Sequence, residues 1–216
     1  MADDQLVVWG HSQGGNAALW TGVLAGDYAS DLTIDGVAAL APASDLVPLA
    51  KRVQGKAAGT VVSVYFLTAY ANTYDDVRVD DYVRPGARVQ EREAAERCLT
   101  DPGLAASVIA ASGGESIFGT DLSSGPLGGR LRENTPTADM GGAPLLVAGG
   151  TADEVINIAI NEGWIAKQCA AGHKLDFRTY PDRSHMGVLE ADSPLTEELT
   201  TWTADRFAGK PAASTC

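Results

Sequence analysis

A serine stands between glycines at the end of an apolar run in "LVVWGHSQGG", residues 6–15. A serine hydroxyl is a weak nucleophile. It needs a base, an acid that orients the base, and donors for the oxyanion. Gly10-His11-Ser12-Gln13-Gly14 fits G-x-S-x-G, a sharp strand-to-helix turn that leaves the serine alone at its tip. Side chains at positions 10 and 14 are expected to clash there with strand and helix. The helix that follows aims its N-terminus at Ser12, so the Gln13 N–H is the expected oxyanion donor.

The remaining partners should follow in the order serine, acid, histidine, on loops after later strands. The sequence has three histidines. His11 lies inside the turn and cannot fold back on Ser12; packing beside the nucleophile is its expected role. His173, in "AAGHKL", precedes a strand and belongs to the other end of a sheet. His185, in "PDRSHMG", follows an apolar alternating run and is the expected base. For the acid, "GGTADEVI" supplies Asp153 just past a strand end, where ligands collect in open α/β sheets. Glu154 is its rival by one residue of register. Asp182 is too close to His185 along the chain to need a strand of its own, and reads as a solvated turn residue.

The elements that must carry these groups read as strands alternating with helices. "QLVVW" (5–9), "IDGVAALAPAS" (34–44), the run 144–148 and "LDFRTYP" (175–181) are strand-like. Residues 14–25, 162–172 and 193–209 are helix-like, with stops near Gly26 and Gly172, and Ser193 ahead of Pro194 as an expected N-cap. That alternation predicts a parallel α/β sheet. A crossover between parallel strands needs only about a dozen residues. The interval 47–142 is far longer, with helix-like stretches at 57–74, 90–101 and 104–112, and so reads as an inserted helical subdomain. The division expected is a core of 1–46 with 143–216 and a helical cap of 47–142.

Composition narrows the function classes. Sixteen Lys+Arg against 28 Asp+Glu give a net charge of −12, which disfavours nucleic acid and anionic membranes as partners. No run approaches 18 apolar residues, so no membrane-spanning helix is expected. The start "MADDQ" is acidic and lacks the basic and apolar regions of a signal peptide. Three cysteines, Cys98, Cys169 and Cys216, show no metal-ligand spacing, and the odd count leaves a free thiol or a distant partner. Neither a metal nor another cofactor is called for.

Taken together, "VVWGHSQGGNAALW", "ALAPASDL", "DDYVRPG", "PLLVAGGTADEVI", "DFRTYPDRSHMGVL" and "ADSPLTEELTTWTADRFAG" resemble the secretory lipase family of actinobacteria, whose fungal relatives are similar to Candida lipase A. The resemblance runs from residue 5 to the end. It implies an α/β-hydrolase fold, a triad at Ser12, Asp153 and His185, a helical cap that shapes an acyl pocket, secretion, and hydrolysis of acylglycerols or simpler esters. The family carries a long segment ahead of the turn, where this sequence has eleven residues. By that comparison "MADDQ" reads as an internal start, and the early strands and the loop with the second oxyanion N–H are absent. The resemblance also implies that a cap cysteine pairs with the absent part. That would orphan Cys98 and leave Cys169 and Cys216 able to pair, although sequence alone leaves connectivity open. Strand 5–9, central in the family, becomes an apolar edge here, and a homodimer joined along 5–9 is expected. Two other readings stand beside the esterase: a serine peptidase of prolyl-oligopeptidase type, which shares the W-G-x-S-x-G-G turn, and an inactive fragment that binds lipid or a partner chain.

Overall fold

Residues 36–40, "GVAAL", and 145–150, "LLVAGG", are apolar or small at every position, as strands covered on both faces must be. In the computed structural model they are the two inner strands of a parallel sheet. The structure describes residues 5–54, 57–98 and 116–216. The chain divides into two compact units, Met1–Asp45 with Thr135–Cys216, and Leu46–Asn134.

The first unit holds strands β1 (Gln5–His11), β2 (Thr33–Leu40), β3 (Leu145–Gly150) and β4 (Asp176–Tyr180), paired in parallel in the order β1-β2-β3-β4. Helix α1 (Gln13–Tyr28) links β1 to β2. Alternate residues of the inner strands serve opposite faces. Val37, Ala39, Leu145 and Val147 pack with Ala18 and Leu19 of α1, and with Trp164 and Ile165 on the helix between β3 and β4. Ala38, Leu40, Leu146 and Ala148 pack with Tyr180, and with Leu195, Leu199 and Trp202 on the C-terminal helix. Burial of each larger side chain contributes roughly 1.5–3 kcal/mol.

The second unit carries α2 (Leu46–Val53), α3 (Ala57–Thr73), α4 (Arg88–Ala95) and α5 (Gly125–Glu133). Its core gathers Val61, Val64, Leu67, Leu122, Leu127 and Leu131. Tyr82 fastens the start of α5: its hydroxyl accepts from the Leu127 N–H at 2.9 Å and donates to the Ser124 carbonyl at 3.0 Å. The helix expected at 104–112 lies outside the described residues, and the one expected over 90–101 is α4, ending at Ala95.

Back in the first unit follow α6 (Ile158–Ala170) and α7 (Pro194–Phe207). Several boundaries differ from the sequence expectation. β1 runs on to His11 because Gly10 and His11 still pair with Ala39 and Leu40. α1 passes Gly26 and ends at Tyr28. α6 starts at Ile158, earlier than expected, because the Asn157 side chain caps it by accepting from the Ala159 N–H at 3.2 Å. Ser193 holds the N-cap position of α7 but its side chain makes no capping bond. Cys169 and Cys216 form a disulfide and Cys98 is a free, exposed thiol. Among the described residues no helix is long and apolar enough to cross a membrane.

Candidate active site

The sheet's parallel order brings the C-terminal ends of β1, β3 and β4 to one side. Ser12 follows the last residue of β1, Asp153 lies three residues past the end of β3, and His185 five past β4. Ser12 occupies φ 59°, ψ −120°, a left-handed conformation that costs a non-glycine residue roughly 1–3 kcal/mol. The surroundings hold it there. Its N–H donates to the Leu40 carbonyl at 2.9 Å, and its carbonyl accepts from the N–H groups of Asn16 (3.1 Å) and Ala43 (3.2 Å).

The glycines of the turn divide their work differently from expectation. A Cβ on Gly10 would run into the carbonyl of Gly14, so position 10 must be glycine. A Cβ on Gly14 meets no described atom within 4 Å, so the clash expected there does not exist. The tight position is Gly15, where a Cβ would sit 2.9 Å from the Pro42 Cβ.

Ser12 Oγ lies 2.9 Å from His185 Nε2, and His185 Nδ1 lies 2.8 Å from Asp153 Oδ2. A carboxylate only accepts, so Nδ1 carries the proton and Nε2 is left to accept from the serine hydroxyl. Asp153 is buried at 4% exposure, which strengthens its bond to the imidazole. Its second oxygen, Oδ1, accepts from the N–H groups of Val155 (2.8 Å) and Ile156 (2.7 Å). Such a turn of a carboxylate onto the backbone two and three residues on is characteristic of aspartate.

The rival residues occupy other places. Glu154 is exposed and accepts from the His185 backbone N–H at 3.1 Å, not from the ring. Asp182 sits in the turn after β4 with φ 58°, its N–H donating to Thr151 Oγ1 at 2.9 Å. His173 lies between α6 and β4, at the opposite end of the strands. His11 packs beside His185, ring centroids 4.6 Å apart, with its Nε2 2.9 Å from the His185 carbonyl. Burial lowers the His11 pKa below its ordinary 6.5; the bond to the His185 carbonyl opposes this, His185 nearby adds to it, and Asp153 opposes it. Gln13 is exposed and opens α1, whose first N–H groups have no partner within the helix.

Two of these contacts were beyond sequence reasoning. The Asp153 turn has a local signal, an aspartate two and three residues ahead of the amides it receives. The contacts of His11 and Glu154 with the His185 backbone span 174 and 31 residues and leave no local signal. Among the described residues no cluster of His, Cys, Asp and Glu could hold a metal ion.

The sequence pattern of the secretory lipase family matches residues 1–215. The chain belongs to the secretory lipase family. It is 30% identical to lipase 6 of Candida albicans, over 99% of this chain and 48% of that one. It is 26% identical to a Mycobacterium tuberculosis protein named "Probable inactive lipase", over 94% of this chain and 46% of that one. The chain thus spans about half the length of the curated relatives it matches. Its fold is that of Candida antarctica lipase A (TM-score 0.75, 16% identity, 98% of this chain and 51% of that one). It is likewise that of the rice cell wall degrading esterase LipA of Xanthomonas oryzae (TM-score 0.70, 15% identity, 95% and 57%). The architecture is an α/β-hydrolase one, a parallel sheet flanked by helices.

Proposed function

We propose that this secretory lipase family member hydrolyses carboxylic esters through an acyl-enzyme on Ser12. The observation that carries the reading is the pair of hydrogen bonds from Ser12 through His185 to Asp153, at 2.9 and 2.8 Å. Ser12 Oγ attacks the ester carbonyl carbon and passes its proton to His185 Nε2. Asp153 holds the ring in the required tautomer and stabilises the imidazolium that forms. The Gln13 N–H donates to the oxyanion. As the tetrahedral intermediate collapses, the alcohol leaves with the proton from Nε2. A water then gives a proton to Nε2 and attacks the acyl-serine; as this second intermediate collapses, the acid leaves and Nε2 returns the proton to Oγ, restoring Ser12 and the neutral imidazole.

Membership of the family and the Cys169–Cys216 disulfide support a secreted setting, since disulfides persist in oxidising compartments. The substrate class is a lipid ester or a simpler ester.

The test is labelling of the chain with a fluorophosphonate, alongside turnover of p-nitrophenyl acyl esters and aminoacyl-prolyl amides. Labelling and ester turnover that both vanish in Ser12→Ala are the expected result. Amide cleavage in preference to ester cleavage turns the assignment to a peptidase. No labelling of the wild-type chain overturns it in favour of a binding protein.

A further inference from the structure

The proposed base must cross the sheet to reach its nucleophile. Ser12 follows β1 and His185 follows β4, the two outermost strands. Three gaps of about 4.8 Å separate those strands by about 14 Å. Residues 181–185 and the side chains of His185 and Ser12 bridge that distance together; the chain turns first, with Asp182 at φ 58° and the Arg183 N–H donating to the Tyr180 carbonyl at 3.4 Å. His185 therefore sits at the far end of an arch beyond its strand, where small shifts of its backbone move Nε2 relative to Ser12.

The near part of the arch is stitched to the loop after β3. The Thr151 N–H donates to the Tyr180 carbonyl (3.0 Å) and the Ala152 N–H to the Arg183 carbonyl (3.1 Å). The far end is held by two side chains that take no part in the proton transfers. Glu154 accepts from the His185 N–H at 3.1 Å, and His11 donates from Nε2 to the His185 carbonyl at 2.9 Å. A carbonyl has no proton to give, so His11 carries its proton on Nε2.

We infer that His11 is a positioning residue, whose Nε2–H pins the His185 carbonyl and so keeps the base over Ser12, with Glu154 as the lesser second pin. This rests on the triad reading above. Three features favour His11 as the stronger pin. It is partly buried, whereas Glu154 is exposed and water can replace its carboxylate. It belongs to β1, one residue before Ser12, so it ties base and nucleophile to the same strand. Its ring also packs against the ring it positions.

The experiment compares His11→Phe with His11→Gln in the full chain, using steady-state kinetics on a short p-nitrophenyl ester, with Ser12→Ala as reference. Phe keeps a packing ring and loses the donor; Gln keeps a donor at about the reach of Nε2 and loses the ring. Misplacement by about 1 Å can cost on the order of 10²-fold in rate. His11→Phe is therefore expected to lower kcat by about that factor with KM nearly unchanged, and His11→Gln to recover most of it. Glu154→Ala should fall by severalfold and Glu154→Gln by less. His11→Phe as active as wild type overturns the pin while leaving the triad standing. A fully active His11→Phe beside a dead His11→Gln does the same, because it makes His11 a packing group only. Wild-type activity in Ser12→Ala overturns both the pin and the triad.

Discussion

The β4 edge of the sheet is finished by the chain itself, and the β1 edge is left open among the described residues. At β4, Thr215 of the C-terminal tail donates its N–H to the Leu175 carbonyl (2.9 Å), and its hydroxyl accepts from the Phe177 N–H (3.0 Å). The Cys169–Cys216 disulfide ties that tail to α6. Charged groups line the same strand: Arg178 pairs with Asp176 (2.7 Å) and with Glu198 (3.0 Å). At β1, Leu6 is 39% exposed and Trp9 48%. α1, packed over β1 and β2, shows an uncharged exposed stripe of Gly14, Ala17, Thr21, Leu24 and Tyr28. The proposed acid and base hang from the finished side and the proposed nucleophile from the open one. The two sides thus carry one site with unequal support: hydrogen bonds and a covalent tie on one, backbone strain and a single paired strand edge on the other.

The largest effects come from breaking the link between the sides. Ser12→Ala and His185→Ala should each lower kcat/KM on a p-nitrophenyl ester by at least 10³-fold or so, and the double variant should be no worse than either alone, because the groups act as one unit. Additive losses, measured as the product of the single effects, would mean that the two residues work separately.

On the finished side the acid comes next. Asp153→Asn keeps the shape but puts an amide where Nδ1–H must donate, which favours the wrong tautomer; a loss of roughly 10³–10⁴-fold in kcat is expected. Glu154→Gln should lose little, and less than Glu154→Ala, since it still offers an acceptor to the His185 N–H. A larger loss for Glu154→Gln than for Asp153→Asn exchanges their roles.

How much of this was legible in the sequence follows from how local each feature is. The inner strands were readable because burial on both faces demands unbroken apolar runs, and both runs are present. Ser12 was readable because the turn's geometry dictates glycine at position 10, a neighbour in sequence. Which other glycine is forced was not, since Gly15 is tightest against Pro42, which the fold brings in from the far end of β2. The expected helix 162–172 begins four residues earlier, at Ile158, where Asn157, an ordinary capping residue, supplies the start signal. Ser193 ahead of Pro194 marks the N-cap position correctly, but its hydroxyl is buried with no hydrogen-bond partner among the described residues, which residue types alone do not foretell. The pins on His185 depend on the arch across the sheet, which no local pattern encodes.

Removing the covalent tie on the finished side sharpens the comparison further. On the chain-entropy account a disulfide closing 47 residues is worth at most about 4 kcal/mol. Cys169→Ser with Cys216→Ser should lower Tm by several degrees or more, read by calorimetry under oxidising conditions. The kcat on esters should hold near wild type, because the tail meets β4 at Leu175, at the strand end opposite the proposed triad. A fall in kcat as large as that of Asp153→Asn would show that the tail supports the site as well as the edge.

The open side yields the smallest expected effect. A parallel edge strand presents unpaired N–H and C=O groups, and without charges on its flank it is a template for another chain. The α1 stripe carries no such charge, and the one carboxylate bonded to β1 among the described residues, Asp35, is taken up by the Leu6 N–H at 3.1 Å; Leu6, Trp9, Leu24 and Tyr28 are all exposed and apolar or aromatic. A second copy related by a twofold axis would set β1 against β1 and α1 against α1 in one self-complementary contact. Burial of a few hundred Å² of apolar surface at about 25 cal/mol per Å² yields only several kcal/mol. Loss of translational and rotational freedom consumes much of that, so weak association is expected, at micromolar concentration or above. Leu6→Lys places a charge on the exposed side of β1 without touching the core and should shift the light-scattering mass from twice the chain mass to once, leaving Tm within a few degrees. A wild-type chain that is monomeric throughout, or a dimer indifferent to Leu6→Lys, would mean that the β1 edge is not the contact.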